Sequence, residues 1–427
     1  MDTAAIGRLR CPTCLGELRP QAFAEERIGG TAPRTVMRSG VLLCERCRVW
    51  FPVDSDTPVL LRFKTTLHER FADRHRAEIA DLAGYTLPPW QPRPGELDVQ
   101  ETFTDQWDVV AEDELSFMYT LDELVALNRR VWLTWLDELP GDQRPASVLD
   151  VGCGVGTETI ALREVTGAAE LFGIDLNFAL LRRRPEYRDV AGVHFVVASA
   201  FDPPFARESF DLVYSQGVIH HTYSTIDAFD SIAARVTPGG HLFVWVYGLE
   251  DHLAPGGASR LSKRANMLAE QVLRPLATRA PGPVRDKLFD GLTTVWHARR
   301  KQVERHSEDW ERDNTQHALR DWLSPRFARR HGFNEMAEGY EERGFRLVAL
   351  QSPQAYKELF GRPLWGVGMT GRRTTQALAT PALAATGSSS SSVSAQAQQR
   401  VRPAAQGHEE ARSQLHDGSG GHVRHPE

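Results

Sequence analysis

Apolar residues change their spacing several times along the chain, and those changes divide it. Between residues 147 and 249, short apolar runs alternate with stretches of three- and four-residue spacing. SVLDVG, LFGIDL, VHFVVAS, FDLVYSQG and GGHLFVWVYG read as strands. Helices are expected from near 156, from 177 and over 225–236. Such alternation builds a parallel sheet with helices on both faces. The pattern pauses over 250–330, a mostly helical insertion. It resumes with FNEMAEGYEERG as a helix, then FRLVALQS and LWGVGMTG as strands, about seven strands in all. The expected fold class is α/β, with a seven-stranded, mostly parallel sheet.

Upstream, ELSFMYTLDELVALNRRVWLTWLDEL makes 101–140 helical by spacing. Residues 66–100 read as a charged helix and a linker, because PPWQPRPG breaks regular structure. Residues 1–65 place β-like runs, VMRSGVLLC and RVWFPV, around a Gly/Pro/Thr-rich middle and form a small module of their own. The main domain is then 101–374. The tail, 375–427, is of low complexity and has too few bulky apolar residues to offset its ordering entropy, so disorder is expected.

Composition narrows the function. The chain has 427 residues, 41% hydrophobic, with a net charge of −6. An acidic balance disfavours a general nucleic-acid binder. The start, MDTAAIGRLRCPTC, lacks the apolar core of a secretory signal. Apolar runs are one strand long, well short of the roughly 20 residues a membrane helix needs. A soluble cytoplasmic protein without a membrane partner is expected. Charge reverses locally: 255–335 holds 16 Lys/Arg against 10 Asp/Glu, and Trp296, Trp310, Trp322, Phe289 and Phe327 lie among them. That insertion could hold an anionic or carrier-linked acceptor, with Arg299 and Arg300 in one of its cationic stretches.

The first strand of the main domain ends in a glycine turn, Gly152-Cys153-Gly154-Val155-Gly156. A dinucleotide fold wants GxGxxG, with the third glycine one residue later and a pyrophosphate on the helix N-terminus. Here Thr157-Glu158 follows, and a carboxylate in the first turn competes for the phosphate position. Asp150 lies inside the preceding strand, where an acid is costly without a partner. Asp175 closes the second strand, 23 residues after Gly152, placed to accept from ribose hydroxyls. A positively charged cofactor without phosphate, S-adenosyl-L-methionine, suits these residues.

VLDVGCGVGTET, GIDLN, VVASAFDPPFARESFDLVYSQGVIHH and RVTPGGHLFVWV, in that order, resemble the motifs of the class I S-adenosylmethionine-dependent methyltransferases. The resemblance implies a Rossmann-like sheet. It implies that Asp150 with Gly152, Gly154 and Gly156 holds the methionine end and that Asp175, with Leu176 beside it, binds the ribose. Ala200 and Phe201 should flank the adenine, and Ser215 and Gln216 should line the site past the fourth strand. One position departs from the family: Ser199 stands where an acid usually accepts from the adenine amino group, so either Asp202 substitutes or backbone and stacking contacts take over. The fourth strand ends in SQGV, without the Asn/Asp-Pro-Pro-Tyr/Phe that grips planar amino groups. If the acceptor needs a base, His220 and His221 stand at the carboxyl end of that strand, His221 being favoured.

Four of the five cysteines form two CxxC pairs, Cys11/Cys14 and Cys44/Cys47, separated by 29 residues. This spacing fits a zinc ribbon whose four thiolates close a structural site. LLCERCRVWFPVDSDTPVLL resembles the end of the small zinc-binding proteins that activate RNA and protein methyltransferases, here fused to the enzyme. The expected activity is methyl transfer to oxygen or nitrogen of a small-molecule or carrier-bound acceptor. Two alternatives stand beside it. One is an RNA methyltransferase, similar to an rRNA guanine enzyme, gripping RNA through the ribbon. The other is a non-catalytic protein that keeps the cofactor fold.

Overall fold

The computed structural model of the protein describes residues 1–29, 33–108, 119–178, 185–249, 260–303, 312–361, 364 and 366–375. The tail expected to be disordered, apart from residue 375, lies outside them, as do Trp310 and the side chains of Arg299 and Arg300.

After a short helix, Thr3–Ile6, come four antiparallel strands: β1 (Arg19–Ile28), β2 (Arg34–Cys44), β3 (Val49–Asp54) and β4 (Thr57–Pro58). The main sheet comprises β5 (Ser147–Val151), β6 (Glu170–Asp175), β7 (Val193–Val197), β8 (Phe210–Gln216), β9 (Val236–Val246), β10 (Phe345–Leu350) and β11 (Val367–Arg373). Its order is β10-β11-β9-β8-β5-β6-β7. β5 pairs in parallel with β6 and β8, β6 with β7, and β8 with β9; β11 runs antiparallel between β9 and β10. This is the Rossmann-like, mostly parallel sheet expected. The order reverses between β5 and β8, so the carboxyl ends of β5, β6 and β8 border the crevice where such sheets bind ligands.

The buried runs VLDV, LFGI, VHFVV and LVYS show why this sheet is central: strands covered on both faces read as continuous apolar stretches. The insertion consists of helices Arg260–Arg279, Gly282–Val303 and Arg312–Leu323. A helix at Pro353–Phe360, between β10 and β11, was not expected. Its marks are local: Ser352 caps Ala355, Pro353 follows, and Gly361 ends it at φ 65°.

The four-stranded sheet packs on the edge of the main sheet. The Leu60 N–H donates to the Val197 carbonyl at 2.8 Å, and Arg10 N–H to that of Pro204 at 2.8 Å. Leu9, Met37, Phe51 and Leu60 join Phe172, Phe205 and Phe210 in one apolar core. The edge of β7, otherwise open to pairing with other chains, is thereby covered.

From β4 the chain runs through helix Thr66–Arg74 and back along the module, where Trp50 N–H donates to Thr86 O and Thr86 N–H to Arg48 O, both at 3.0 Å. Residues 96–100, read from sequence as the end of a linker, instead open helix Glu96–Asp108.

Candidate active site

Gly152, Gly154 and Gly156 all have positive φ, 80°, 56° and 92°, so the turn winds tightly from β5 into helix Thr157–Thr166. A Cβ on Gly152 would stand 2.2 Å from a Val218 methyl, and one on Gly156 2.7 Å from the Phe195 ring. The turn is fixed by Gly152 N–H donating to Ile174 O at 2.7 Å. β5 and β6 therefore deliver Asp150 and Asp175 to the two sides of one turn.

Asp150 is buried, and its Oδ2 accepts from Thr159 Oγ1 at 2.6 Å. Asp175 accepts from the Gly154 N–H at 3.0 Å and the Asn177 N–H at 2.8 Å. Glu158 Oε1 accepts from Asn128 Nδ2 and from the Tyr214 hydroxyl, each at 2.7 Å. Asn128 reaches it from the π turn Asn128–Trp132. None of the three carboxylates has a Lys, Arg or His partner among the described residues. Burial pushes all three up, Asp175 to about 6; at Asp150 the neighbouring Glu158 and Asp175 add to it. Uncompensated buried acids repel a phosphate and match a cation.

Other expected residues are placed as follows. The Leu176 carbonyl, beside Asp175, accepts from Gln100 Nε2 at 2.7 Å. Ala200 is half-buried, and the Phe201 ring is covered by Tyr223, 4.8 Å away and stacked, and by the Arg93 guanidinium at 5.3 Å. Ser215 is buried and donates back to the Val151 carbonyl at 3.3 Å; the Gln216 side-chain amide lies 2.9 Å from the Tyr214 hydroxyl oxygen. Asp202 is held by two nitrogens of Arg93, at 3.2 and 2.8 Å, with Arg62 at 3.6 Å. Ser199 donates to Glu96, a residue the sequence reading did not single out.

His220 and His221 lie in the turn Ile219–His221 that follows β8, both buried. His221 Nδ1 is 3.0 Å from the Phe327 carbonyl, which selects the Nδ1–H tautomer and leaves the Nε2 lone pair free. That Nε2 is 4.0 Å from Asp321 Oδ1, beyond hydrogen-bond reach, and Asp321 accepts from the Tyr247 hydroxyl. Neither ring nitrogen of His220 has a partner among the described residues; its ring packs 4.1 Å from both His221 and Tyr247. Burial pulls both imidazoles down and keeps them neutral.

Five arginines of the insertion and the segment after it are paired within the chain. Arg274 and Arg330 both bind Glu270, and Arg320 binds Asp286. Arg326 binds Asp98, and Arg329 donates to the Tyr223 carbonyl.

The sulfurs of Cys11, Cys14, Cys44 and Cys47 lie within 4.8 Å of one another, with Cys14–Cys44 at 3.6 Å and Cys11–Cys47 at 3.9 Å. A tetrahedral zinc–thiolate site has an edge of about 3.8 Å, given a zinc–sulfur bond of about 2.3 Å. The Gly16 and Cys47 N–H groups donate to Cys14 and Cys44 Sγ at 3.4 Å. The four cysteines fit such an ion.

Residues 149–244 match the family model described as a methyltransferase domain. The chain is 35% identical over 100 residues to the malonyl-[acyl-carrier protein] O-methyltransferase of Pseudescherichia vulneris, over 23% of this chain and 38% of that protein. It is 27% identical over 201 residues to the tRNA U34 carboxymethyltransferase of Hahella chejuensis, over 45% of this chain and 57% of that protein. The matches span less than two thirds of either relative. Among solved structures, the magnesium protoporphyrin IX methyltransferase of Synechocystis with bound SAH is similar at TM-score 0.37 and 14% identity, over 65% of this chain and 98% of that one. The matched residues run from β5 to β9 of the Rossmann-like sheet, the strands that carry the glycine turn, Asp175 and the turn with the two histidines.

Proposed function

We propose that the protein is an S-adenosylmethionine-dependent methyltransferase acting on oxygen or nitrogen of a small-molecule or carrier-bound acceptor. The observation that carries this reading is the group of acids at the glycine turn, Asp150, Glu158 and Asp175, without a cationic partner among the described residues. When bound, the cofactor supplies an electrophilic methyl group on a sulfonium. Asp150 and the turn hold the methionine end, and Asp175 accepts from the ribose hydroxyls. Ala200, with the backbone of Phe201, lies by the adenine, and Ser215 and Gln216 stiffen the end of β8. His221, oriented through Nδ1 by the Phe327 carbonyl, takes the acceptor's proton at Nε2. His220 packs behind it. The four cysteines hold a structural zinc, and their lack of disulfides among the described residues suits the cytoplasm. No described helix is long and apolar enough to cross a membrane.

Calorimetry with S-adenosylhomocysteine tests the reading. Binding is expected, with Asp175→Ala weakening it about tenfold or more, since charge-assisted hydrogen bonds contribute about 1.5–3 kcal/mol. Absence of binding would refute the reading and favour a non-catalytic protein. Mass spectrometry of cell extract incubated with methyl-labelled cofactor then identifies the acceptor. RNA is the second reading, favoured by the tRNA-acting relative. Against it stands the internal pairing of the arginines described above. Steeply salt-dependent binding to RNA would reverse that order.

A further inference from the structure

A carboxylate from another element stands against Ser199. Ser199, two residues past β7, donates from Oγ to Glu96 Oε1 at 2.5 Å and accepts from the Phe201 N–H at 3.2 Å. Glu96 opens helix Glu96–Asp108, is 3% exposed, and accepts at Oε2 from the Arg93 N–H at 2.6 Å. Asp202, the acid nearest to Ser199 in sequence, is engaged by Arg93 and Arg62. A carboxylate has about four acceptor sites, so each Glu96 oxygen retains a lone pair. Burial, and secondarily the Asp202 charge, pushes the Glu96 carboxyl up against the opposing effect of the Ser199 and Arg93 hydrogen bonds.

The helix carrying Glu96 touches the other parts of the site as well. Gln100 donates to the Leu176 carbonyl, beside Asp175, and Asn177 Nδ2 donates to Thr104 Oγ1 at 2.5 Å. Phe103 sets its ring edge-on to His221, 5.4 Å between centroids. A single helix therefore meets the loop after β7, the end of β6 and the turn after β8.

We propose that Glu96 determines cofactor specificity in this chain: it accepts from the exocyclic amino group of a 6-aminopurine nucleoside, the role that Ser199 cannot fill alone. The inference rests on the S-adenosylmethionine reading above. Its rival is that Glu96 only fixes the start of the helix. Only a specificity residue distinguishes ligands that differ at the purine 6-position.

The test uses the full chain and two probes, S-adenosylhomocysteine and its analogue with hydrogen in place of the 6-amino group. The natural chain should prefer the amino ligand by about tenfold or more, the worth of a hydrogen bond to a charged acceptor. Glu96→Gln should lose most of that preference through weaker binding of the amino ligand, while the analogue stays within about twofold. Adding Ser199→Asp to Glu96→Gln should restore the preference. Binding of the analogue shows that the variant is folded. If Glu96→Gln does not fold, hydrogen exchange on the natural chain decides: the amino ligand should protect the amides of 96–104 more than the analogue does. Equal weakening of both ligands in Glu96→Gln, an unchanged preference, or equal protection by both overturns the assignment. Natural chain that binds neither ligand overturns the cofactor reading itself.

Discussion

Asp175 carries the clearest consequence of burial at a single residue. Its carboxyl is pushed up to about 6 by burial, although two backbone N–H groups lower it. Such a group, raised above its unfolded value of about 3.9, stabilises the fold at low pH, and that contribution is lost as pH rises through the folded value. Ribose hydroxyls donate to the ionised form, so ligand binding has the opposite slope. Affinity for S-adenosylhomocysteine should therefore be about tenfold weaker at pH 5 than at pH 7, one pH unit below the pKa being about a tenfold loss of the ionised form. Asp175→Asn should bind more weakly and flatten the profile. Calorimetry at the two pH values measures this, and a flat profile in the natural chain would show that Asp175 is not the ribose acceptor.

Among the elements, the two-residue strand β4 and the residues after it have an effect beyond their length. Leu60, buried, donates its N–H to Val197 O and closes the edge of β7. Leu60→Pro removes the donor and leaves that carbonyl unpaired, at a cost of about 1–3 kcal/mol before any loss of packing. A lower unfolding midpoint and faster proteolysis within residues 1–65 are expected. An unchanged midpoint would mean that the pairing is dispensable. Elements of this kind mark the limit of what the chain discloses in sequence. β5 to β9 and the glycine turn are written in consecutive residues, since apolar runs and positive-φ glycines act locally. Ser199 was recognisable as a departure only through the resemblance of the motif after β7. Its partner was not, because Glu96 lies 103 residues away and only the packed fold joins them. The start of helix Glu96–Asp108 was hidden by PPWQPRPG, which signals irregular chain but not where it stops. His220 and His221 were legible as a position after β8, whereas the tautomer of His221 depends on Phe327, 106 residues on.

Across the whole molecule, the cysteine cluster and the candidate cofactor site are joined by a continuous run of contacts. The Arg48 N–H donates to the Cys44 carbonyl at 2.9 Å, and the Arg48 carbonyl receives Thr86 N–H at 3.0 Å. Trp90 bridges to Phe63, Arg93 holds Asp202, and Glu96 meets Ser199. On the proposed zinc site, the ion would tie the two CxxC turns together, so its binding would add to the folding of the module. Freshly purified protein should contain about one zinc per chain, the content of a closed four-thiolate site. Chelation, or Cys44→Ser, should unfold residues 1–65 and also weaken S-adenosylhomocysteine binding, because the path that positions Glu96 starts in the module. Glu96→Gln, by contrast, should keep its zinc while binding the ligand less well. Metal analysis, hydrogen exchange of the module and calorimetry on the same samples separate these effects. A chelated protein that keeps full ligand affinity would show that the module is a passenger; well under one zinc per chain would remove the metal from the account.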